Sequence, residues 1–221
     1  MGTLYIVATP IGNLQDITNR ALDVLRSVAV IACEDTRVTK KLLGHFEIGT
    51  ETVSLHHHSS EKDIARLVGR LVAGENVAYV SDAGTPGISD PGGKFVEEAY
   101  KAGVRVVPIP GASSVVAALS ATGFPSDQFQ FLGYFPRKKG RQTLLKALPD
   151  FELTTVFFEA PYRILKTLED IANVLPSREM VVGREMTKQF EEIMRGSARE
   201  LFDHFKAKEP KGEYVIVIRG K

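Results

Sequence analysis

The sequence has little cysteine and no excess of charge of either sign. Cys33 is the single cysteine in 221 residues, which excludes an internal disulfide framework and is typical of a reducing compartment. The net charge of +1 excludes a protein that binds polyanions through bulk charge. No apolar run approaches the ~20 residues of a membrane span, and the N-terminus lacks the pattern of a signal peptide. We therefore expect a cytoplasmic protein with no membrane partner.

Short apolar runs alternate with amphipathic segments along the first half of the chain. They predict strands at 4–8, 28–32, 76–80 and 104–109, with helices between them. Ser60 and Asp63 have the spacing of a capping box, which predicts that one of these helices begins there. This alternation predicts an α/β fold with a mostly parallel sheet and helices on both faces. In such sheets, ligands bind beyond the carboxyl ends of the strands.

The second half of the chain is predicted to form a separate domain. Gly123-Phe124-Pro125 has the composition of a hinge, and further apolar runs and helices follow it. We expect two α/β domains, an N-terminal one over 1–120 with a glycine-rich cofactor loop and a C-terminal one over 121–221. A ligand is then expected in the cleft between them.

A glycine-rich segment at 81–93 follows the predicted strand at 76–80. Its glycines allow close approach of a ligand to the main chain, and Pro86 and Pro91 stiffen it. It lacks both the Walker lysine and the GxGxxG spacing, and it carries Asp82 and Asp90 with no basic residue before Lys94. These carboxylates would repel a polyphosphate but suit ribose hydroxyls or a cation such as the sulfonium of S-adenosylmethionine (SAM). The alternative is a plain turn between a strand and a helix.

Seven ordered blocks extend over nearly the whole chain. They are TPIGNLQDIT at 9–18, CEDTR at 33–37, SDAGTPGISDPG at 81–92, PGASS at 110–114, FFEAPYR at 157–163, REMTK at 184–188 and KGEYVIVIRG at 211–220. Together they resemble the ribosomal RNA small subunit methyltransferase I family of the tetrapyrrole methylase superfamily. The resemblance implies a SAM-dependent enzyme that methylates the ribose 2′-hydroxyl of a cytidine in the 16S rRNA of the 30S subunit. It also implies a homodimer of two α/β domains of the tetrapyrrole methylase type, with SAM in the interdomain cleft.

The resemblance also implies which residues bind the cofactor. The positions that match the family's SAM site are Pro10, Asp82, Gly84, Thr85, Ile88, Ala112, Ser113, Ser114, Phe158 and Met186. Longer members continue into a helical C-terminal extension, so RNA binding through the core alone, or weaker binding, is expected here. Two alternatives stay open: a small-molecule methylase acting on a corrin or porphyrin, and a non-catalytic SAM-binding regulatory module.

A 2′-hydroxyl needs a base to take its proton. The candidates are Glu34, Asp35, His56 and Glu159. Asp35, or Thr36 beside it, could instead cap the helix that follows. The triplet His56-His57-His58 suggests a metal, but no cysteine or carboxylate cluster completes a ligand set, and we predict no metal site.

RNA contacts are expected where positive charge gathers locally. The candidates are Arg37, Arg137, Lys138, Lys139, Arg141 and Arg163. Tyr134 and Phe135, beside the basic segment at 136–146, could stack on an unpaired base. The alternatives are a solvated surface loop for the basic segment, a core position for the aromatic residues and a carboxylate partner for Arg37.

Overall fold

The computed structural model describes residues 1–90 and 92–221, and Pro91, which is predicted to stiffen the glycine-rich loop, lies outside them. The chain forms two compact units, Met1–Ser113 and Ser114–Lys221, each described here by itself. The helix over Ser114–Ser120 belongs to the second unit, whereas the sequence predicts a boundary near residue 120.

The first unit is built on a parallel sheet of five strands. They are β1 Thr3–Val7, β2 Val30–Cys33, β3 Glu51–Ser54, β4 Val77–Val80 and β5 Arg105–Ile109. The spatial order is β3-β2-β4-β1-β5, and every pair is parallel. The predicted mostly parallel N-terminal sheet is confirmed.

Helices connect these strands and cover both faces of the sheet. They are α1 Asn19–Ser27, α2 Thr36–His45, α3 Glu61–Val72 and α4 Gly93–Lys101. The predicted capping box at Ser60 and Asp63 is present at the start of α3. Successive residues of β4 enter opposite cores, since Tyr79 packs with the α3 and α4 cluster and Val80 with the α1 and α2 cluster.

The second unit contains a mixed sheet. It begins with α5 Ser114–Ser120, and its strands are β6 Phe129–Tyr134, β7 Thr154–Glu159, β8 Glu179–Arg184, β9 Glu192–Ser197 and β10 Tyr214–Ile218. The order is β6-β7-β10-β8-β9, with β6 and β7 parallel and the other pairs antiparallel.

Three further helices build the main core of this unit. They are α6 Arg141–Ala147, α7 Ile164–Val174 and α8 Ala198–Lys206. Their apolar stripes bury Leu145, Leu168 and Phe205 against one cluster that also contains Phe157 of β7 and Ile216 of β10. No helix among residues 1–90 and 92–221 has the length and apolar character needed to cross a bilayer.

Candidate active site

The carboxyl ends of the first sheet's strands bring several predicted site residues to one edge. Since all five strands are parallel, the loops after β1, β2, β4 and β5 begin at the same edge. Pro10 follows β1, Glu34 and Asp35 follow β2, Asp82 follows β4, and Ala112 follows β5. Four predicted sequence blocks therefore share this edge.

Hydrogen bonds tie three of these loops together. Thr9 and Gly84 form an antiparallel bridge, with N···O distances of 2.9 and 3.0 Å. The Thr85 hydroxyl donates to the Ala112 carbonyl at 3.0 Å, and the Thr9 hydroxyl donates to the Ser81 carbonyl at 3.2 Å. The edge is therefore preorganised around the predicted cofactor residues Pro10, Asp82, Gly84, Thr85 and Ala112.

Glycine is required where these loops approach closely. Gly84 has φ +81°, a conformation that L residues rarely adopt, and an added Cβ would lie 3.3 Å from Ile11 Cγ2. At Gly111 an added Cβ would lie 2.9 Å from the Cβ of Ala8. Larger residues at either position would push the loops apart.

The other predicted cofactor residues are divided between the two units. Ile88 lies exposed in the glycine-rich loop, and Ser113 ends the first unit. Ser114 begins α5, and Phe158 lies near the end of β7. Met186 follows β8 and is buried, and a Cβ added at Gly183 would lie 2.8 Å from its sulfur. Their contact with a cofactor stays a prediction.

An acidic cleft lies beside the tied loops. It has a volume of about 380 Å³ and is lined by Glu34, Asp35, Thr36, Arg37, Ser54, His56 and Asp82. Burial and the nearby carboxylates of Asp82 and Asp90 raise the pKa of Glu34, while His57 and His56 act in the opposite direction. A carboxylate with a raised pKa holds a proton more tightly than an ordinary glutamate does.

Asp35 caps helix α2, which is the alternative to catalysis that the sequence offers for this residue. Its carboxylate accepts a hydrogen bond from the Arg37 backbone N–H at 2.8 Å and pairs with the Arg37 guanidinium at 2.7 Å. These bonds lower the pKa of Asp35 to about 2. Arg37 is thus paired with a carboxylate, although its side chain is largely exposed. A base with so low a pKa accepts protons poorly, and we prefer Glu34.

His56 lies between the acidic cleft and a second cleft. The second cleft, of about 300 Å³, is lined by Leu55, His56, His57, Ser59, Ile64, Asp90, Gly92, Gly93, Lys94 and Phe95. The His56 ring accepts a hydrogen bond at Nδ1 from the His58 backbone N–H at 3.1 Å, so the triplet forms a turn. Within residues 1–90 and 92–221, no His, Cys, Asp or Glu cluster could hold a metal ion.

Glu159 and Arg163 form a buried ion pair in the second unit. The Glu159 carboxylate also accepts hydrogen bonds from the Thr167 hydroxyl and, at 2.7 Å, from the Ala160 N–H. Both carboxylate oxygens are therefore occupied. Arg163 is mostly buried, and its Nε and Nη1 have no hydrogen-bond partner among the described residues. We assign this pair to the stability of the second unit, although the sequence predicts catalysis for Glu159 and RNA contact for Arg163.

The four cations of the basic segment for which the sequence predicts RNA contact divide into one structural and three exposed residues. Arg141 pairs with Asp170 at 2.7 Å, donates to the Pro136 carbonyl at 3.0 Å and lies over the Phe135 ring. Arg137, Lys138 and Lys139 are exposed. The sequence predicts RNA contact for all four, and we retain that prediction for the three exposed residues, called the basic turn below.

One residue of the first unit escapes the sequence prediction of the site. Ser54 ends β3 and lines the acidic cleft, but its strand is short and polar and carries no motif. Asp90 lies in the glycine-rich loop, and burial and Asp82 raise its pKa. The sequence already predicts that its carboxylate, like that of Asp82, suits ribose hydroxyls or a cation.

Comparison with known proteins identifies the family. Residues 3–201 match the family model for tetrapyrrole (corrin/porphyrin) methylases. Proteins named ribosomal RNA small subunit methyltransferase I match nearly the whole chain. The one from Vibrio cholerae is 49% identical over 98% of this chain and 77% of its own length. The one from Thermotoga maritima is 46% identical over the full length of both chains. The chain belongs to this methyltransferase family.

Solved structures of two other proteins share the fold. A diphthine synthase structure superposes with a TM-score of 0.77 at 20% identity, covering 100% of this chain and 90% of that one. Uroporphyrin-III-C-methyltransferase from Thermus thermophilus gives a TM-score of 0.65 at 20% identity, covering 98% and 94%. At these identities the likeness supports the architecture alone, and the predicted fold class is confirmed.

Proposed function

We propose that this methyltransferase transfers a methyl group from SAM to the ribose 2′-hydroxyl of a cytidine in 16S rRNA. The observation that carries the proposal is the juxtaposition of the glycine-rich loop and its Asp82 with Glu34 at one sheet edge. The names of relatives with 46–49% identity supply the substrate class, RNA of the small ribosomal subunit. The ribose and the base follow from the family resemblance of the sequence blocks.

The residues at this edge fit SAM better than a polyphosphate. Asp82 and Glu34 present carboxylates, which suit a sulfonium cation and ribose hydroxyls, and the loop has no cation before Lys94. Gly84 and Gly111 allow the loops to pack closely, since an added Cβ would lie 3.3 Å from Ile11 Cγ2 at position 84 and 2.9 Å from the Ala8 Cβ at position 111. SAM would supply an activated methyl group on sulfur, and Pro10, Asp82, Gly84, Thr85 and Ala112 would hold it.

Glu34 is our candidate general base. The reaction forms a bond between the ribose oxygen and the methyl carbon as the bond from that carbon to sulfur breaks. S-adenosylhomocysteine leaves, and the 2′-hydroxyl proton must go to a base. Glu34 lines the cleft, and its raised pKa makes the ionised form a stronger proton acceptor. A base positioned in this way contributes about 10²–10⁴-fold to the rate.

Several finer features belong to the same proposal. We place the protein in the cytoplasm, acting as a homodimer on the 30S subunit. The single cysteine and the family resemblance support this assignment. Phe158 and Met186 are proposed to contact the adenosine.

The test is transfer of labelled methyl from SAM to purified 30S subunits that lack their own 2′-O-methylation, with the product mapped by nuclease digestion. We expect one labelled ribose, on a cytidine of 16S rRNA. Calorimetry with SAM alone provides the control. SAM binding without transfer to 30S subunits would favour a small-molecule acceptor or a regulatory module, and absence of SAM binding would overturn the cofactor assignment.

A further inference from the structure

A bulge in β6 sets the direction of Tyr134. In a regular strand, side chains alternate between the two faces, so Phe131 and Tyr134 would lie on opposite faces. The register with β7 shifts between these two residues, and Gly133 adopts φ +66°. As a result both rings contact Phe158, at centroid distances of 4.9 Å for Phe131 and 5.5 Å for Tyr134. Bulges often redirect a side chain beside a functional site.

Tyr134 is therefore an exposed ring on an aromatic support. Its residue is 58% exposed, while Phe135, the next residue, is buried and packs on Phe157 at 5.2 Å. Phe158 contacts the Tyr134 ring edge-on at 66°, which limits how far that ring can turn. An aromatic side chain that is already held in place loses little entropy when a ligand packs against it.

Positive charge lies directly after this ring in the chain. Arg137, Lys138 and Lys139 are exposed, and none forms an ion pair within residues 1–90 and 92–221. Arg141 holds the turn in place, because it pairs with Asp170 and donates a hydrogen bond to the Pro136 carbonyl. No acidic residue occurs between Asp127 and Asp150. The basic turn thus presents three exposed cations on a segment that the contacts of Arg141 hold in place.

We propose that Tyr134 stacks on an unpaired base of the RNA substrate while the basic turn holds the neighbouring phosphates. This inference rests on the proposed function in taking RNA as the ligand. A polyphosphate would use the cations but not the ring, and an apolar peptide would use the ring but not the cations. Single-stranded RNA uses both, because every base has a face that stacks and every linkage carries a negative charge.

The chain contains no tryptophan, which allows a direct test of stacking. Tyr134→Trp introduces a single indole, and we expect its fluorescence to be quenched saturably by a single-stranded oligocytidylate of about ten nucleotides. Tyr100→Trp is the matched control, since Tyr100 is 63% exposed on α4 in the first unit. An inorganic polyphosphate should weaken the quenching by competition without quenching by itself.

Activity on 30S subunits provides the second measurement. Tyr134→Ala should lower kcat/KM by roughly 5- to 150-fold, the range measured for loss of one base–aromatic stack. Tyr134→Phe should retain most of the activity, because the face of the ring is kept.

The outcomes separate this inference from the proposed function. Normal methylation by Tyr134→Ala, or equal quenching at positions 134 and 100, would overturn the stacking role and leave the methyltransferase assignment intact. Oligocytidylate quenching confined to position 134 would support the stacking role even if the wild type failed to methylate 30S subunits. Quenching by polyphosphate alone would show a charge effect and contradict stacking.

Discussion

The two units of this chain present opposite chemistry. The carboxyl edge of the parallel sheet gathers Glu34, Asp35 and Asp82, whereas the second unit exposes the basic turn beside Tyr134. The net charge of +1 hides this division, because acidic and basic residues nearly cancel over the whole chain. Local charge, and not net charge, is therefore the basis on which we propose proton transfer in the first unit and phosphate binding in the second.

Loss of the candidate base should give the largest effect. Glu34→Gln keeps the shape of the side chain but cannot accept a proton, so kcat should fall by about 10²–10⁴-fold. Single-turnover methylation of 30S subunits measures this, with calorimetry to show that SAM still binds. Glu97→Gln, at an exposed position on α4, is the control and should be fully active. Normal turnover by Glu34→Gln would remove Glu34 from the mechanism.

Stability measurements should distinguish the arginine of the buried ion pair from an exposed arginine that we propose binds RNA. Arg163→Ala leaves Glu159 buried without its cation, and we expect a loss of about 3–5 kcal/mol in the free energy of unfolding. Arg137→Ala, at an exposed position, should change stability by less than about 0.5 kcal/mol. Urea denaturation measures both variants. If Arg163→Ala were as stable as wild type but bound RNA weakly, the result would contradict the structural role and support the RNA contact that the sequence predicts for Arg163.

The basic turn should control the salt dependence of RNA binding. Replacing Arg137, Lys138 and Lys139 with alanine should reduce the slope of log affinity against log salt by about 2, or about 0.7 for each phosphate contact. Fluorescence anisotropy with labelled single-stranded RNA measures this slope. Lys62→Ala, on α3 of the first unit, should leave it unchanged. An unchanged slope in the triple variant would place the phosphate contacts elsewhere.

The acidic neighbours of Glu34 should give the smallest effect, a shift in the pH profile. Burial and the charges of Asp82 and Asp90 raise the pKa of Glu34, so Asp90→Asn should lower that pKa and move the acid limb of kcat/KM to lower pH. His57 has the opposite influence, so His57→Ala should move the limb to higher pH. A pH–rate series on both variants tests the sign, and shifts in the same direction would contradict this electrostatic account.

The sequence predicts the apolar strands well and misses two polar strands at sheet edges. Residues 214–218 are apolar throughout, which predicts a buried strand, and β10 lies at the centre of the second sheet. The strands β3 and β9 lie at sheet edges, where polar residues face solvent, so the runs ETVS and EIMRGS carry no apolar signal. Hydrophobic patterning reveals buried strands because burial is what selects their residues.

The site residues differ in whether local sequence or long-range contacts determine their role. The motifs after β2 and β4 predict Glu34 and Asp82, respectively, as site residues, because the end of a strand can be recognised from local sequence. The role of Arg141 depends on Asp170, and no local pattern distinguishes Arg141 from Arg137. In the same way, the bulge and the pairing with β7 decide that Tyr134 is exposed while Phe135 is buried.

The burial of Cys33 has a practical consequence for mapping the bound RNA. Its thiol is fully enclosed at the end of β2, and burial raises its pKa, so little of it is thiolate at neutral pH. Alkylating reagents should therefore leave the wild-type chain untouched. A cysteine introduced by Lys138→Cys would be the one reactive thiol in the folded protein. A photocrosslinker attached there would report which nucleotides pass the basic turn, with no need to replace Cys33.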